Sequence, residues 1–342
     1  MTFADIVGQD PALAILRRAL ASGRLAHAYL FDGPQGVGKG TAAVALGLAL
    51  MCPVAPREGC GKCEQCQRVL GRNHPDVWLF DAAGLQDAAK ASSDKSAVKY
   101  AARQVFPYAL AAPHEAATRL LILDHADELS VDVQNTLLKT LEEPRPAVHI
   151  VLVTAARESL LPTILSRTQR IRFLPVGVPA MAEVARRRGL ERGRAETAAV
   201  LAGGSVARLL ELASAEGEVG PWPEVSRLRE AAGGRGASAM FDVAAALGEK
   251  EAKERLPEVL ALLAGFYRDA LAVAVGADDL VLLRQRAAEV EQVGRAGGLP
   301  GLQRALRAVQ DAEEALLSNV NAVTAMERLL MEMRACERKA TA

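Results

Sequence analysis

Between the apolar run Ala28 to Phe31 and an alanine- and leucine-rich stretch from Thr41 to Leu50 stands Gly33-Pro34-Gln35-Gly36-Val37-Gly38-Lys39-Gly40-Thr41. A strand that runs into a glycine loop and then a helix constrains the fold tightly. The glycines let the loop curl so that backbone N–H groups face a phosphate at the helix N-terminus, and Lys39 adds a point charge for the β and γ phosphates. The loop departs from the full pattern at one position. The residue after the lysine is normally Ser or Thr, which ligates magnesium; here it is Gly40, and Thr41 comes one residue late. Gly33, Gly36, Val37, Gly38, Lys39, Gly40 and Thr41 are therefore candidate nucleotide ligands, for ATP or ADP with Mg2+, and the pattern favours binding over hydrolysis.

Further apolar runs at Val77 to Phe80, Leu120 to Leu123 and His149 to Val153 read as buried strands alternating with helices, which implies a parallel sheet. The third of these four strands delivers Asp124 to its C-terminal end, where a magnesium nucleotide would sit, and His125 follows it. Asp127 and Glu128 belong to the next turn and are expected to face solvent or cap the helix through Leu138. Residues Asp81 to Ala97 are small, polar and without a clear period, so a loop or mobile insertion is expected there. Leu161-Pro162-Thr163-Ile164-Leu165-Ser166-Arg167-Thr168 places Arg167 at the start of a short edge segment. Taken alone, an arginine after a serine is a surface charge.

Cys52, Cys60, Cys63 and Cys66 cluster within fifteen residues, while Cys336 lies alone near the end as an ordinary helix residue. Two x2 gaps place thiolates around a tight knuckle that a tetrahedral zinc can close with Cys52. Four cysteines leave zinc no open coordination position, so the metal's expected role is structural.

At 342 residues the chain is long enough for two or three domains. Half the residues are hydrophobic and only 4% aromatic, which favours close-packed helices outside the sheet. The expected layout is an α/β domain over 1–174, a short helical unit over 175–214, a linker over 215–236 with Pro221 and Pro223, and a C-terminal all-α bundle over 237–342. In that bundle Leu256, Leu260, Leu263, Phe266 and Ala270 fall at helical spacing, and so do Leu316, Val320, Val323 and Leu330. Such faces serve a core or a neighbouring subunit equally well. Basic and acidic residues balance at 41 each, so no net field draws a polyanion, and nucleic-acid contacts must be local or shared. Arg18, Arg68 and Arg72 read as solvated charges. No basic leader and no uncharged run of about 20 residues is present, which points to a cytoplasmic protein without a membrane partner.

The order of these motifs resembles bacterial clamp-loader subunits of the AAA+ class across essentially the whole chain. The resemblance rests on Ile6-Val7-Gly8-Gln9 near the expected adenine pocket, Ala26 to Phe31, the four-cysteine module, His74-Pro75-Asp76, Asn135 to Pro144, and Ser166-Arg167-Thr168, where the family has Ser-Arg-Cys. It implies an AAA+ P-loop domain, a helical lid and a collar-forming bundle. Asp124 then looks like the Walker B acid, with His125 where hydrolytic members carry a glutamate. Thr154 falls at the sensor 1 position, though a buried threonine satisfied by backbone is an equal alternative. Arg208, after Gly203-Gly204-Ser205, falls where the sensor 2 helix begins, or is an exposed helix cation.

Within the family the chain is more similar to the delta-prime branch than to tau or gamma, which ordinarily have a Lys-Thr loop, an Asp-Glu box and often a long C-terminal extension. The resemblance implies little or no ATPase in the isolated chain. It makes Arg167 an arginine finger acting in trans on a neighbouring ATPase subunit, a contribution of about 10³ or more. The implied partners are tau or gamma, delta, the β sliding clamp and primed DNA, within a DNA polymerase III holoenzyme. Competing expectations are a tau- or gamma-type motor ATPase, a small-molecule P-loop kinase, and a zinc-bearing adaptor that binds no nucleotide.

Overall fold

The computed structural model describes residues 2–92, 96–214, 219–318 and 320–341, in two compact units: Met1–Val176 with Ser205–Ala207, and Gly177–Gly204 with Arg208–Ala342. The first unit is built on strands β1 (Ala28–Asp32), β2 (Val77–Asp81), β3 (Arg119–Asp124), β4 (Val148–Thr154) and β5 (Gln169–Arg172). All neighbours are parallel, in the order β2-β3-β4-β1-β5. Four of the strands coincide with the apolar runs of the sequence because both sheet faces are covered, so their residues need not alternate with polar ones. Tyr29, Phe31, Leu120, Ile122, Val151 and Val153 point into one buried layer, with Leu13 and Leu16 of helix α1 (Asp10–Ser22) and Leu46 and Leu48 of α2 (Lys39–Met51). Leu30, Leu121, Leu123, Ile150 and Leu152 point into the other, against Leu137 and Leu141 of the helix Val131–Glu142.

The stretch 81–97 differs from the loop expected of it. Asp81 ends β2 and its carboxylate accepts the Ala83 N–H at 3.1 Å, starting a turn that leads into a helix over Leu85–Ala91. Ala82, Leu85 and Ala89 are buried, the first two in the layer with Leu121 and Leu123. Small side chains gave the sequence no apolar period there, yet they suit close packing. Residues 93–95, within the same stretch, lie outside the described residues.

The second unit is helical. Of the stretch 215–236, expected as linker, residues 215–218 lie outside the described residues, and the rest contains the helix Trp222–Gly233, whose Trp222, Val225 and Leu228 are buried. Prolines at its start fit the first helical turn, where no backbone N–H is needed. The long helix Lys250–Ala274 buries Leu256, Leu260, Leu263, Phe266 and Ala270 as the spacing predicts. The later apolar series does not form one helix. Leu299–Leu317 ends before Val320, which is exposed, and Asn321 opens Ala322–Thr341 by accepting the Val323 N–H at 2.9 Å. Cys336 lies buried in that last helix, and its thiol donates to the Met333 carbonyl at 3.1 Å. No helix among the described residues is long and apolar enough to cross a membrane.

Candidate nucleotide site and metal centre

The glycine loop joins the C-terminal end of β1 to α2, so it lies at the carboxyl edge of the sheet, where open α/β folds hold ligands. Gly36 and Gly38 take φ of 77° and 100°, which side chains resist. No side chain caps the first turn of α2. Its N–H groups are therefore left for an anion. Lys39 is buried, and its Nζ donates to the carbonyls of Gly33 at 2.6 Å and Pro34 at 2.5 Å. Burial pulls its pKa down, against the nearby charges of Asp124, Asp127 and Asp32. The loop is pinned on two further sides. Gln9 donates to the Val37 carbonyl at 3.2 Å and to that of Leu174 at 2.6 Å, and it accepts the Leu174 N–H at 3.1 Å. Ala207 N–H donates to the Gly36 carbonyl at 3.2 Å, and a Cβ on Gly36 would stand 2.0 Å from the Ser205 hydroxyl.

Asp124 ends β3 beside the loop. A Cβ at position 40 would come within 3.2 Å of its Oδ2, so a larger side chain there presses on the carboxylate. His125 adopts a left-handed backbone, φ 50°, and its ring Nδ1 lies 2.9 Å from Asp81 Oδ1 at the end of the adjacent strand. Burial lowers the His125 pKa, but the Asp81 hydrogen bond and the charges of Asp124, Asp81 and Glu128 overrule it and raise the value. An imidazole committed to Asp81 is no substitute for a carboxylate that orients water. Asp127 does not simply face solvent: its Oδ1 accepts the Ala155 N–H at 3.1 Å, tying the turn after β3 to the end of β4. Thr154 is fully buried, and its hydroxyl accepts the Ala156 N–H at 3.1 Å.

Arg167 lies outside this cluster. It follows the short helix Pro162–Leu165, donates to the Thr163 carbonyl at 3.1 Å and pairs with Glu142 at 2.8 Å, with its side chain 36% exposed. Gln134 sets that segment in place. Buried in the helix Val131–Glu142, it donates to the Leu129 and Ser159 carbonyls and accepts the Leu161 N–H at 2.8 Å. Nothing in the local sequence singled it out, because its partners lie up to 27 residues away. Arg208 belongs to the second unit, where it pairs with Glu258 at 3.2 Å.

The four clustered cysteines meet. Their sulfurs all lie within 4.8 Å of one another, with Cys52 to Cys63 at 3.8 Å and Cys60 to Cys66 at 3.9 Å. A tetrahedron of sulfurs about 2.3 Å from a central zinc has edges of about 3.8 Å. The donor set therefore fits a metal ion. Backbone N–H groups of Ala55 and Cys60 donate to Cys52, and those of Lys62 and Cys63 to Cys60, the arrangement that stabilises thiolates. Those N–H bonds draw the Cys60 pKa down to about 6, while burial pushes the Cys66 thiol up to about 12.

A buried knot around Asp76, whose partners the sequence did not indicate, is tied to the knuckle through Glu115 and Arg68. Asp76, fully buried, accepts the N–H groups of His114, Glu115 and Ala116 and two bonds from Arg119, at 2.9 and 3.1 Å. Burial opposes ionisation, yet these donors hold its pKa at about 2. Arg119 also stacks 4.5 Å from the Tyr108 ring. Glu115, brought in by this turn, pairs with Arg68 at 2.6 Å, so Arg68 is not merely a solvated charge.

Residues 8–177 match the family described as DNA polymerase III, delta subunit. Over 330 residues, 95% of this chain and 96% of the relative, the sequence is 29% identical to DNA polymerase III subunit delta' of Bacillus subtilis. The chain belongs to the DNA polymerase III delta-prime family. The tau subunit of the same organism is 34% identical, but over only 172 residues, half of this chain and 29% of tau. The tau match thus covers half of this chain, and the delta-prime match nearly all of it. The first unit has the parallel α/β sheet expected from the sequence. Among solved structures the chain is similar to the Thermotoga maritima RuvB Holliday junction branch migration motor, with 15% identity and a TM-score of 0.41 over 84% of this chain and 89% of that one.

Proposed function

We propose that the chain serves as the delta-prime subunit of a DNA polymerase III clamp loader, the assembly that places the β sliding clamp on primed DNA. The observation that carries this is the end-to-end match to delta-prime, joined to a nucleotide loop with no carboxylate set to activate water. In this role the AAA+ unit is a fixed wall of the loader. Its partners are tau or gamma and delta within the assembly, and its place is the cytoplasm. The helices over 175–214 act as the lid and those over 237–342 as the collar. Arg167 is exposed at the end of a segment fixed by Gln134, which suits a guanidinium that reaches a neighbour's ATP as an arginine finger.

The loop residues Gly33, Gly36, Val37, Gly38, Lys39, Gly40 and Thr41, with Asp124, would hold ATP or ADP, with Mg2+, without turnover. Thr154 serves as sensor 1, and the family resemblance gives Arg208 the sensor 2 role. Zn2+ on Cys52, Cys60, Cys63 and Cys66 clamps the excursion after α2 and performs no chemistry. The deciding experiment is nucleotide binding and turnover by the purified chain, with Lys39→Ala as control. Tight binding without turnover supports this role, and steady turnover lost in the control instead identifies a motor subunit.

A further inference from the structure

Two helices and one irregular segment of the second unit enclose a cavity of about 140 Å³ that the loader role does not use. Val178, Ala182 and Arg186 line it from one face of the helix Val178–Arg187, at a spacing of four. Arg192 and Glu196 line it from the helix Arg192–Leu201 at the same spacing, and Val281 and Arg284 form the third side. Buried carboxylates hold that third side in place. Asp269, fully buried, accepts the N–H groups of Leu282 at 3.0 Å and Leu283 at 2.7 Å, and Glu196 accepts that of Arg284 at 2.9 Å.

The charges around this cavity do not balance. Among the described residues Glu196 is its one lining carboxylate, and both oxygens are engaged, Oε1 by Arg192 at 3.1 Å and Oε2 by the Arg284 N–H. Glu183, outside the lining, is shared between Arg186 and Arg187. Arg284 is exposed, and among the described residues its guanidinium meets only the Val281 carbonyl, at 3.4 Å. It also borders an adjoining cavity lined by Asp278, Asp279 and Glu291, yet among the described residues it pairs with none of them. Glu191, exposed just before Arg192, does not line the recess. Three arginines thus share a recess whose one carboxylate is already engaged. We propose that this recess binds a phosphate or diphosphate group, with Arg284 as its principal ligand and Arg186 and Arg192 reaching it from the two helices. One water needs roughly 10–15 Å³ of such space, so a diphosphate fits and a nucleoside attached to it would stay outside. Guanidinium suits phosphate oxygens because its donors form a planar fork. The site is independent of the loader role and of the nucleotide loop.

Pyrophosphate is titrated calorimetrically into the full zinc-replete chain carrying Lys39→Ala, which weakens phosphate binding at the nucleotide loop, at ~20 mM salt. It should bind at about one site per chain with a Kd below about 1 mM. Adding Arg284→Gln should weaken binding about tenfold, as expected for loss of one charge-assisted donor group. Arg284→Lys should recover only part of the loss, because an ammonium lacks the planar fork. Arg284→Gln gives up a single 3.4 Å contact within the chain, so its melting temperature without ligand should be unchanged and misfolding would not account for the loss. Arg186→Gln and Arg192→Gln should weaken binding by smaller factors, since each of these guanidinium groups already has a carboxylate. ADP that competes as well as pyrophosphate would identify a nucleotide's diphosphate as the occupant, and ADP that does not compete would identify the free anion. Pyrophosphate that fails to bind up to ~5 mM, or that binds the Arg284→Gln variant unchanged, would overturn the proposal. Glutamate binding as tightly as pyrophosphate would overturn it in favour of a protein carboxylate, and displacement by a DNA duplex would overturn it in favour of a polymer surface.

Discussion

Asp76 carries more of the first unit than any local pattern announces. Its carboxylate is the shared acceptor for three backbone N–H groups and Arg119, so Asp76→Asn exchanges acceptor for donor on one side and leaves a buried guanidinium uncompensated. The loss should be about 3–5 kcal/mol, read as a fall in the urea midpoint. Its pKa near 2 lies below the unfolded value, so it contributes stability above about pH 4 that is lost as pH falls through 2. His74 and His149 act in the same direction at milder pH. Burial lowers both values, against Glu115 for His74 and against the Ala26 carbonyl for His149, while Arg68 and His27 add to the lowering. His27 stands one residue before the Ala28–Ile150 pair, level with His149 across parallel strands. Each ring binds its proton more readily in the unfolded chain. Their stabilisation is full above about pH 6.5 and is lost as pH drops through the depressed folded values. His125, raised above 6.5, contributes in the opposite sense, its share fading as pH rises. Thermal melts should therefore show stability falling below pH 6.5, and His149→Gln should flatten that fall.

At the scale of elements, what the sequence made legible followed from burial on two faces. β1 to β4 are continuous apolar runs because helices cover both sides of the sheet, and no other structure explains such runs so economically. β5 escaped strand assignment since it is an edge strand in which only Ile171 is buried. The helix Leu85–Ala91 escaped because alanine at its buried positions carries little apolar contrast, and the Asp76 and Arg119 pair because its partners are 43 residues apart. The cysteines were legible from spacing alone, as four donors within one short excursion admit few other geometries. Metal should therefore control this excursion more than its small core does. Metal analysis of the purified chain should give about one zinc per molecule. Stripping it should lower the melting temperature and open amides of the helix Glu64–Leu70 to hydrogen exchange before those of β1. Cys66→Ala should do the same, since Cys66 is both a candidate ligand and part of the core. Zinc near zero with the helix still protected would sink the idea.

For the whole molecule the question is where catalysis is completed. Within the chain, the carboxylate expected beside Asp124 is absent, His125 is held by Asp81, and Gly40 offers no hydroxyl for magnesium. On the proposed role each departure should weaken hydrolysis on this chain's own loop, while the part proposed to act elsewhere, Arg167, is exposed and buttressed. Its ties within the chain are slight: a half-exposed pair with Glu142 and a bond to the Thr163 carbonyl. Arg167→Ala should accordingly cost the isolated subunit under about 1 kcal/mol, visible as a nearly unchanged melt. In a loader reconstituted with this variant, clamp- and DNA-stimulated ATP turnover at the adjoining site should fall by about 10³. Nucleotide affinity at that site should hold more nearly constant, because a finger acts on charge that develops in the transition state. Arg167→Lys should not restore the rate, as an ammonium lacks the planar fork. Normal turnover in the alanine variant, with the subunit present at full stoichiometry, would mean that Arg167 serves only its bond to Glu142.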